Sequence, residues 1–251
     1  STAAVPTQTS ERAPVTRELV EVATDVLRLK FDSEGGSLTH AELLKYADMA
    51  DKSQNFVLFD ESAQRVYVAQ TGLIGGNFPN HKTVMTVVPG ARQLKDGQDS
   101  LTVRFESPEM DGIKLVKTWT IQRGAYAVAV QHEVINSGSA SASPQLYLQL
   151  VRDGNKPPGE SSFYSTFTGP AVYTEAKKYQ KIEFSNIEKD KAEFEKQATN
   201  GYVAMVQHYF ATAWLLGDGV QRDNFVRKVD TNLYSVGMIT PLGEIAPGQS
   251  K

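Results

Sequence analysis

Cysteine is absent from the 251 residues. That excludes structural disulfides, thiolate-ligated zinc, iron–sulfur clusters and a thiol nucleophile. It leaves the compartment open, because a chain without thiols tolerates reducing and oxidising surroundings alike. An excess of positive charge is also missing. Lys and Arg number 26 against 29 Asp and Glu, a net charge of −3, which argues against a dedicated nucleic-acid binder. Long apolar runs are lacking too. The longest uncharged stretch, between Lys196 and Asp218, holds 21 residues, and its apolar heart (202–216) is broken by Gln207, His208 and Thr212. A spanning helix needs about 20 predominantly apolar residues, so this run predicts a pair of buried core strands. Residues 1–15 contain no apolar stretch of signal-peptide type, and a soluble chain is expected.

Catalytic signatures are scarce as well. His40, His81, His132 and His208 are too far apart in sequence to form a local zinc pair. There is no Gly-x-Ser-x-Gly elbow, and Gly72–Gly76 (GLIGG) lacks dinucleotide or P-loop spacing. His132 and Glu133 are neighbours on a predicted strand, so they point to opposite faces. Neither a catalytic residue, a metal nor a cofactor is expected.

What is present is β-structure. Residues 1–17 are rich in Ser, Thr, Ala and Pro and predict a disordered linker. From residue 18 onward, short alternating runs are bounded by Gly, Asn, Asp and Pro: Val20 to Phe31, then 56–59, 66–68, 84–88, 101–105, 113–121, 126–135 and 146–151. Gly35-Gly36 supplies a turn. In the run 113–121, Lys117 interrupts an otherwise apolar face, which predicts that the strand meets solvent at its middle. Residues 186–197 form the best helix candidate, with Asn186 as N-cap. Residues 40–51 fit a helix or a strand. Repeated short strands without an internal boundary indicate one large antiparallel sandwich over residues 18–251, an all-β fold.

Aromatic residues are the remaining candidates for a site. Tyr164, Phe167, Tyr173, Tyr179 and Phe184 run through one segment, and Tyr202, Tyr209, Phe210 and Trp214 through the next. Core filling is one reading; a groove for extended apolar or peptide-like ligands is the other. Residues 175–196 carry six acidic and six basic side chains among 22, which reads as a solvated face or a surface for a partner.

Six stretches, met in order, carry a resemblance: TDVLRLKFDSEGGSL (24–38), QTGL (70–73), KTWTIQRGAYAVAVQHEVINSG (117–138), FTGPAVYTEAKKYQKIEF (167–184), YVAMVQHYFATAW (202–214) and APGQS (246–250). Together they resemble the large first periplasmic domain of the YidC-type membrane protein insertases (the YidC/Oxa/Alb family) of Gram-negative bacteria. The resemblance implies a galactose mutarotase-like β-supersandwich between two transmembrane helices of a multi-pass inner-membrane protein. It implies no catalysis by this domain, but assistance to membrane protein insertion and folding with the Sec translocon. The implied partners are SecF, contacted through residues 164–213, and nascent membrane proteins. Within that segment, Tyr164, Phe167, Tyr173, Tyr179, Phe184 and Tyr209 are the candidate contacts. Asn200-Gly201-Tyr202 stands where the family usually has Gly-Gly-Trp. The family also continues past APGQS with a strand and a helix, so one sheet is expected to end a strand short at Lys251. The alternatives are a carbohydrate-binding or mutarotase-like enzyme on the same sandwich, and a structural spacer.

Overall fold

The computed structural model describes residues 4–7, 16–160, 163 and 166–251. The first alternating runs form β1 (Leu19–Ala23), β2 (Leu27–Asp32), β3 (Ser37–Ala47), β4 (Asn55–Glu61) and β5 (Val66–Ile74). Next come β6 (Thr86–Val87), β7 (Ser100–Glu106), β8 (Ile113–Gln122) and β9 (Val128–Asn136). The chain then makes β10 (Gln145–Asp153), β11 (Gly169–Thr174), β12 (Lys178–Lys181), the single turn α1 (Phe184–Glu188) and β13 (Gln197–Ala198). It closes with β14 (Tyr202–Val206), β15 (Ala211–Leu215), β16 (Arg222–Asp230) and β17 (Leu233–Pro241).

These strands make three sheets, with every strand pairing antiparallel. Nine strands in the order β1-β2-β3-β4-β5-β10-β17-β16-β13 form a broad layer. Two four-stranded sheets, β6-β7-β8-β9 and β12-β11-β14-β15, pack against it. The main core joins all three: Leu29 and Phe31 of β2, Leu148 and Leu150 of β10, and Val236 and Met238 of β17 share it with Val103, Phe105 and Trp119 on one side, and with Val203, Met205 and Trp214 on the other. The period-2 alternation read from the sequence is the cause, since every second side chain faces this interior. The long uncharged run is the β14–β15 hairpin, but only β14 is a core strand, since β15 buries Trp214 and exposes Ala211, Ala213 and Leu215; residues 40–47 lie within β3.

Gly35 and Gly36 turn the chain between β2 and β3 with φ of 74° and 58°. A Cβ on Gly36 would press on the Phe105 ring at 3.0 Å, so the turn and the close sheet approach both favour glycine there.

Three expectations are corrected. Lys117 does not reach solvent: it is wholly buried, and its amine donates to Gly35 O at 2.5 Å and Thr71 O at 3.1 Å. Those two carbonyls offer a buried amine partners that the alternation pattern cannot reveal. The helix over 186–197 shrinks to α1, whose N-cap position is Glu183, not Asn186. Tertiary bonds claim the rest of that segment, as Gln180 accepts from Glu195 N, and Asn224 bonds Glu195 O and Lys196 O. Within the stretch expected to be linker, residues 4–7 lie against the broad sheet: Val5 is buried with Ile74, Tyr147, Phe225 and Ile239, and Arg227 donates to Val5 O and Pro6 O. At the other end of the chain, Asn136 N donates to Gln249 O, and Val134 exchanges backbone hydrogen bonds with Lys251, so the last residues lie along the edge of β9.

Candidate functional site

Where the two smaller sheets face each other across the broad one, they leave an apolar groove of about 650 Å³. Its floor is the inner face of the broad sheet, with Leu27 and Leu29 of β2, Leu43 of β3, Ala69 of β5, and Leu146, Leu148 and Leu150 of β10. One wall is β9, through Val128, Val130 and His132; the other is β15, through residues 211–215. Tyr46, Tyr126 and Phe210 form an aromatic rim, with ring centroids 5.9 Å apart for Tyr46–Tyr126 and 5.6 Å for Tyr46–Phe210. Phe56 stacks beneath Phe210 at 4.1 Å.

The β15 wall is anchored from below. Thr212 Oγ1 lies 2.6 Å from the Tyr67 hydroxyl of β5, and Trp214 Nε1 donates to Gln149 O of β10 at 2.9 Å. Among the described residues, no Asp, Glu, Lys or Arg lines the groove. Its one titratable wall residue is neutral: burial, with the Lys117 charge behind it, pushes His132 down to about 3, and its Nε2 lies 2.7 Å from Thr71 Oγ1. Lys117 itself is pushed down to about 7 by burial alone. The groove therefore suits uncharged apolar matter and has no acid–base pair for chemistry on a polar substrate.

The sequence-derived aromatic candidates do not converge on one point. Tyr164 lies outside the described residues. Tyr173 and Tyr179 are brought together with Tyr202: β12 pairs Tyr179 with Tyr173, β11 and β14 pair Tyr173 with Tyr202, and the next register partner is Leu215 of β15. The Tyr173 and Tyr202 rings stack at 5.2 Å. This row crosses the outward face of the small sheet, with Tyr179 42% and Leu215 69% exposed at its ends. Phe167 sits under Lys181, whose Nζ is 5.3 Å from the ring centroid. Phe184 turns away to pack on Tyr234. Tyr209 stands 74% exposed at the tip of the β14–β15 hairpin, its backbone left-handed at φ 67°. The groove residues Tyr46 and Tyr126 are not among the candidates. Tyr126, an aromatic two residues past the Gly124 turn, was the one visible signal.

The histidines are scattered. His81 Nδ1 meets the Tyr147 hydroxyl and His208 Nδ1 meets Thr166 Oγ1. One histidine meets a carboxylate: His40 Nδ1 is 3.2 Å from Asp60 Oδ1. His40 borders a polar cleft on the opposite face of β2 and β3 from the groove, where Arg28 bonds Glu42 at 2.7 Å and lies 3.7 Å from Glu21. Burial pushes Glu42 up, but hydrogen bonds from Asn55 and Arg28 outweigh it and hold the carboxyl below its usual range. Asp48 and Asp51 add further negative charge to the cleft, and no aromatic platform for a sugar ring lines it. Among the described residues, no cluster of three His, Asp or Glu could hold a metal ion, and no helix is long and apolar enough to cross a membrane.

Comparison with known proteins agrees with this architecture. The family model for the YidC periplasmic domain matches residues 19–251. The chain is 48% identical over 239 residues to the membrane protein insertase YidC of Janthinobacterium sp. (strain Marseille), covering 95% of this chain and 42% of that protein. It is 51% identical over 237 residues to the insertase of the same name from Bordetella pertussis, covering 93% and 42%. The chain thus spans about two fifths of the length of these curated relatives. Among solved structures, a galactose mutarotase related enzyme from Lactobacillus acidophilus superposes with a TM-score of 0.53 at 9% identity, covering 93% of this chain and 94% of that one. A putative aldose 1-epimerase from Escherichia coli K12 gives 0.50 at 11%, covering 94% and 96%. At such identities the likeness is one of fold alone, a galactose mutarotase-like sandwich.

Proposed function

The chain belongs to the YidC periplasmic domain family, and from that premise we propose that it is a non-catalytic docking module of an inner-membrane insertase. In this reading, residues 18–251 act as one β-supersandwich on the periplasmic side of the membrane. Residues 164–213 hold a partner of the Sec translocon such as SecF while membrane proteins are inserted and folded. The observation that carries this is the row Tyr179–Tyr173–Tyr202–Leu215. It lays an apolar ladder across all four strands of the small sheet, half-open to solvent and within or beside that segment. Exposed aromatic ladders of this kind are enriched at protein interfaces, where a rigid ring adds contact area at low entropic cost. Their placement on a flat sheet face suits a protein surface better than a small ligand.

The test is photocrosslinking in the full-length insertase. A photoreactive residue at Tyr179 or Leu215 is expected to capture SecF, and Tyr173→Ala combined with Tyr202→Ala should reduce that capture at least tenfold. Equal capture from Glu21 on the broad sheet, or none from the ladder, would sink the docking reading and leave the domain a spacer.

A further inference from the structure

One end of the molecule gathers exposed apolar side chains from separate loops. We propose that this end rests on a lipid bilayer, with its rings seated at headgroup depth.

Three observations carry this. First, exposed apolar side chains are concentrated there. Among the described residues nine large hydrophobic side chains are exposed, and five of them, Tyr46, Met49, Tyr126, Phe163 and Tyr209, belong to this end. Their loops touch. Tyr46 meets Tyr126 of the β8–β9 turn and Phe210 of the β14–β15 tip. A Cβ on Gly159 would lie 3.3 Å from the Met49 side chain. Glu160 accepts from Thr166, whose hydroxyl is 2.9 Å from His208 Nδ1, so the loop that carries Phe163 is joined to the tip that carries Tyr209. Second, the composition is interfacial. Three of the five are tyrosines, which join an apolar ring to a polar tip and are enriched where hydrocarbon meets water. Third, charge is balanced. Asp48, Asp51, Asp25 and Glu160 accept hydrogen bonds within or between these loops, and Lys45, Lys52, Arg123 and Lys156 stand among them.

These features select the partner. A polyanion would need a surplus of positive charge. An added peptide strand would need open backbone, yet these loops close on themselves: Asp48 N donates to Gln54 O, Gln54 N to Asp51 O, and Gln207 N to Phe210 O. A rigid protein face would have to match several loop tips at once, whereas a fluid interface accepts each ring separately and gains from its apolar area. Placement of the domain beside an inner membrane, argued above from its family, puts such a surface within reach. The tyrosine ladder lies elsewhere, since Tyr202 opens β14 and Tyr209 follows its far end.

The absence of cysteine makes the test direct. The 251-residue chain is given one cysteine with an environment-sensitive fluorophore and mixed with phosphatidylcholine vesicles that contain nitroxide-labelled lipid. Labels at Lys52→Cys and Lys156→Cys, beside the rings, are expected to shift to the blue and to be quenched. Labels at Leu19→Cys and Val220→Cys, at the far ends of β2–β3 and of β15, should stay as they are in buffer. Met49→Ser, Phe163→Ser and Tyr209→Ser together should lower the partition coefficient at least tenfold without moving the thermal unfolding curve. Added salt should change it less than twofold. No partitioning, equal quenching at Leu19 and Val220, or binding that needs anionic lipid and is lost in salt would each overturn the proposal. A dimer that the triple variant dissociates would assign this end to a second copy instead. The vesicles contain no SecF, so failure here leaves the docking reading standing. Tyr173→Ala with Tyr202→Ala, which tests that reading, should leave partitioning unaltered.

Discussion

Lys117 shows how far a single side chain can depart from its pattern. It lies mid-stripe on β8 between Leu115 and Trp119, fully buried, with two carbonyl oxygens as partners and no carboxylate. Burial holds its amine at about 7 when folded, against 10.5 for the free side chain. Between those values the unfolded chain binds a proton that the folded one does not, so stability rises with pH across that window. Below pH 7 the penalty is fully present, and its size is on the order of a few kcal/mol. In urea unfolding at pH 7, 8.5 and 10, the native chain is expected to gain stability relative to Lys117→Met. The two should run parallel below pH 7. A difference that stays constant from 7 to 10 would show that the amine is not buried in solution. Nothing in the residues around Lys117 announced this, because its acceptors come from elsewhere in the chain, Gly35 from the β2–β3 turn and Thr71 from β5.

The β14–β15 hairpin poses the question for an element. Its strands were readable from the long uncharged run, although only β14 and Trp214 of β15 reach the core. Its tip was not. Tyr209 adopts a left-handed backbone that costs a non-glycine residue about 1–2 kcal/mol, while its ring stays in solvent beside His208. Strain of this kind persists where the surroundings impose it and is common at functional positions. Tyr209→Gly is expected to leave thermal stability unchanged or raise it by about 1 kcal/mol, measured by calorimetry. A fall of several degrees would mean that the ring contributes packing the structure does not show. The contrast with α1 is instructive. Residues 186–197 have a helical composition, yet Gln180 and Asn224 bond the backbone of Glu195 and Lys196 from neighbouring strands, and the helix ends at Glu188. Local preference of a few tenths of a kcal/mol per residue loses to such tertiary bonds.

At the scale of the molecule, three sheets share one core without a disulfide to staple them, which a chain of this size does not need. The outer face of the broad sheet has its own small cluster, closed by Val5 from the N-terminal stretch. Val5→Ala removes two buried methyl groups and should cost about 1–2 kcal/mol in urea unfolding. No change would mean that this stretch does not dock on the sheet in solution. The docking face and the groove both arise at this scale. The ladder needs four strands in register, and the groove needs two sheets to stop short of each other.

The sequence by itself determined that the chain is all-β, that it avoids thiol and local metal chemistry, and which family it resembles. Composition and period-2 alternation act locally, and ordered motifs survive without reference to space. It also supplied Tyr173, Tyr179 and Tyr202 as aromatic candidates. Only the tertiary structure decided that these three align, that Phe184 turns inward, and that Lys117 is buried. Only it set an uncharged groove between the two small sheets. Strand register and sheet packing depend on contacts between residues far apart in the chain, and such contacts leave no trace in the spacing of neighbours.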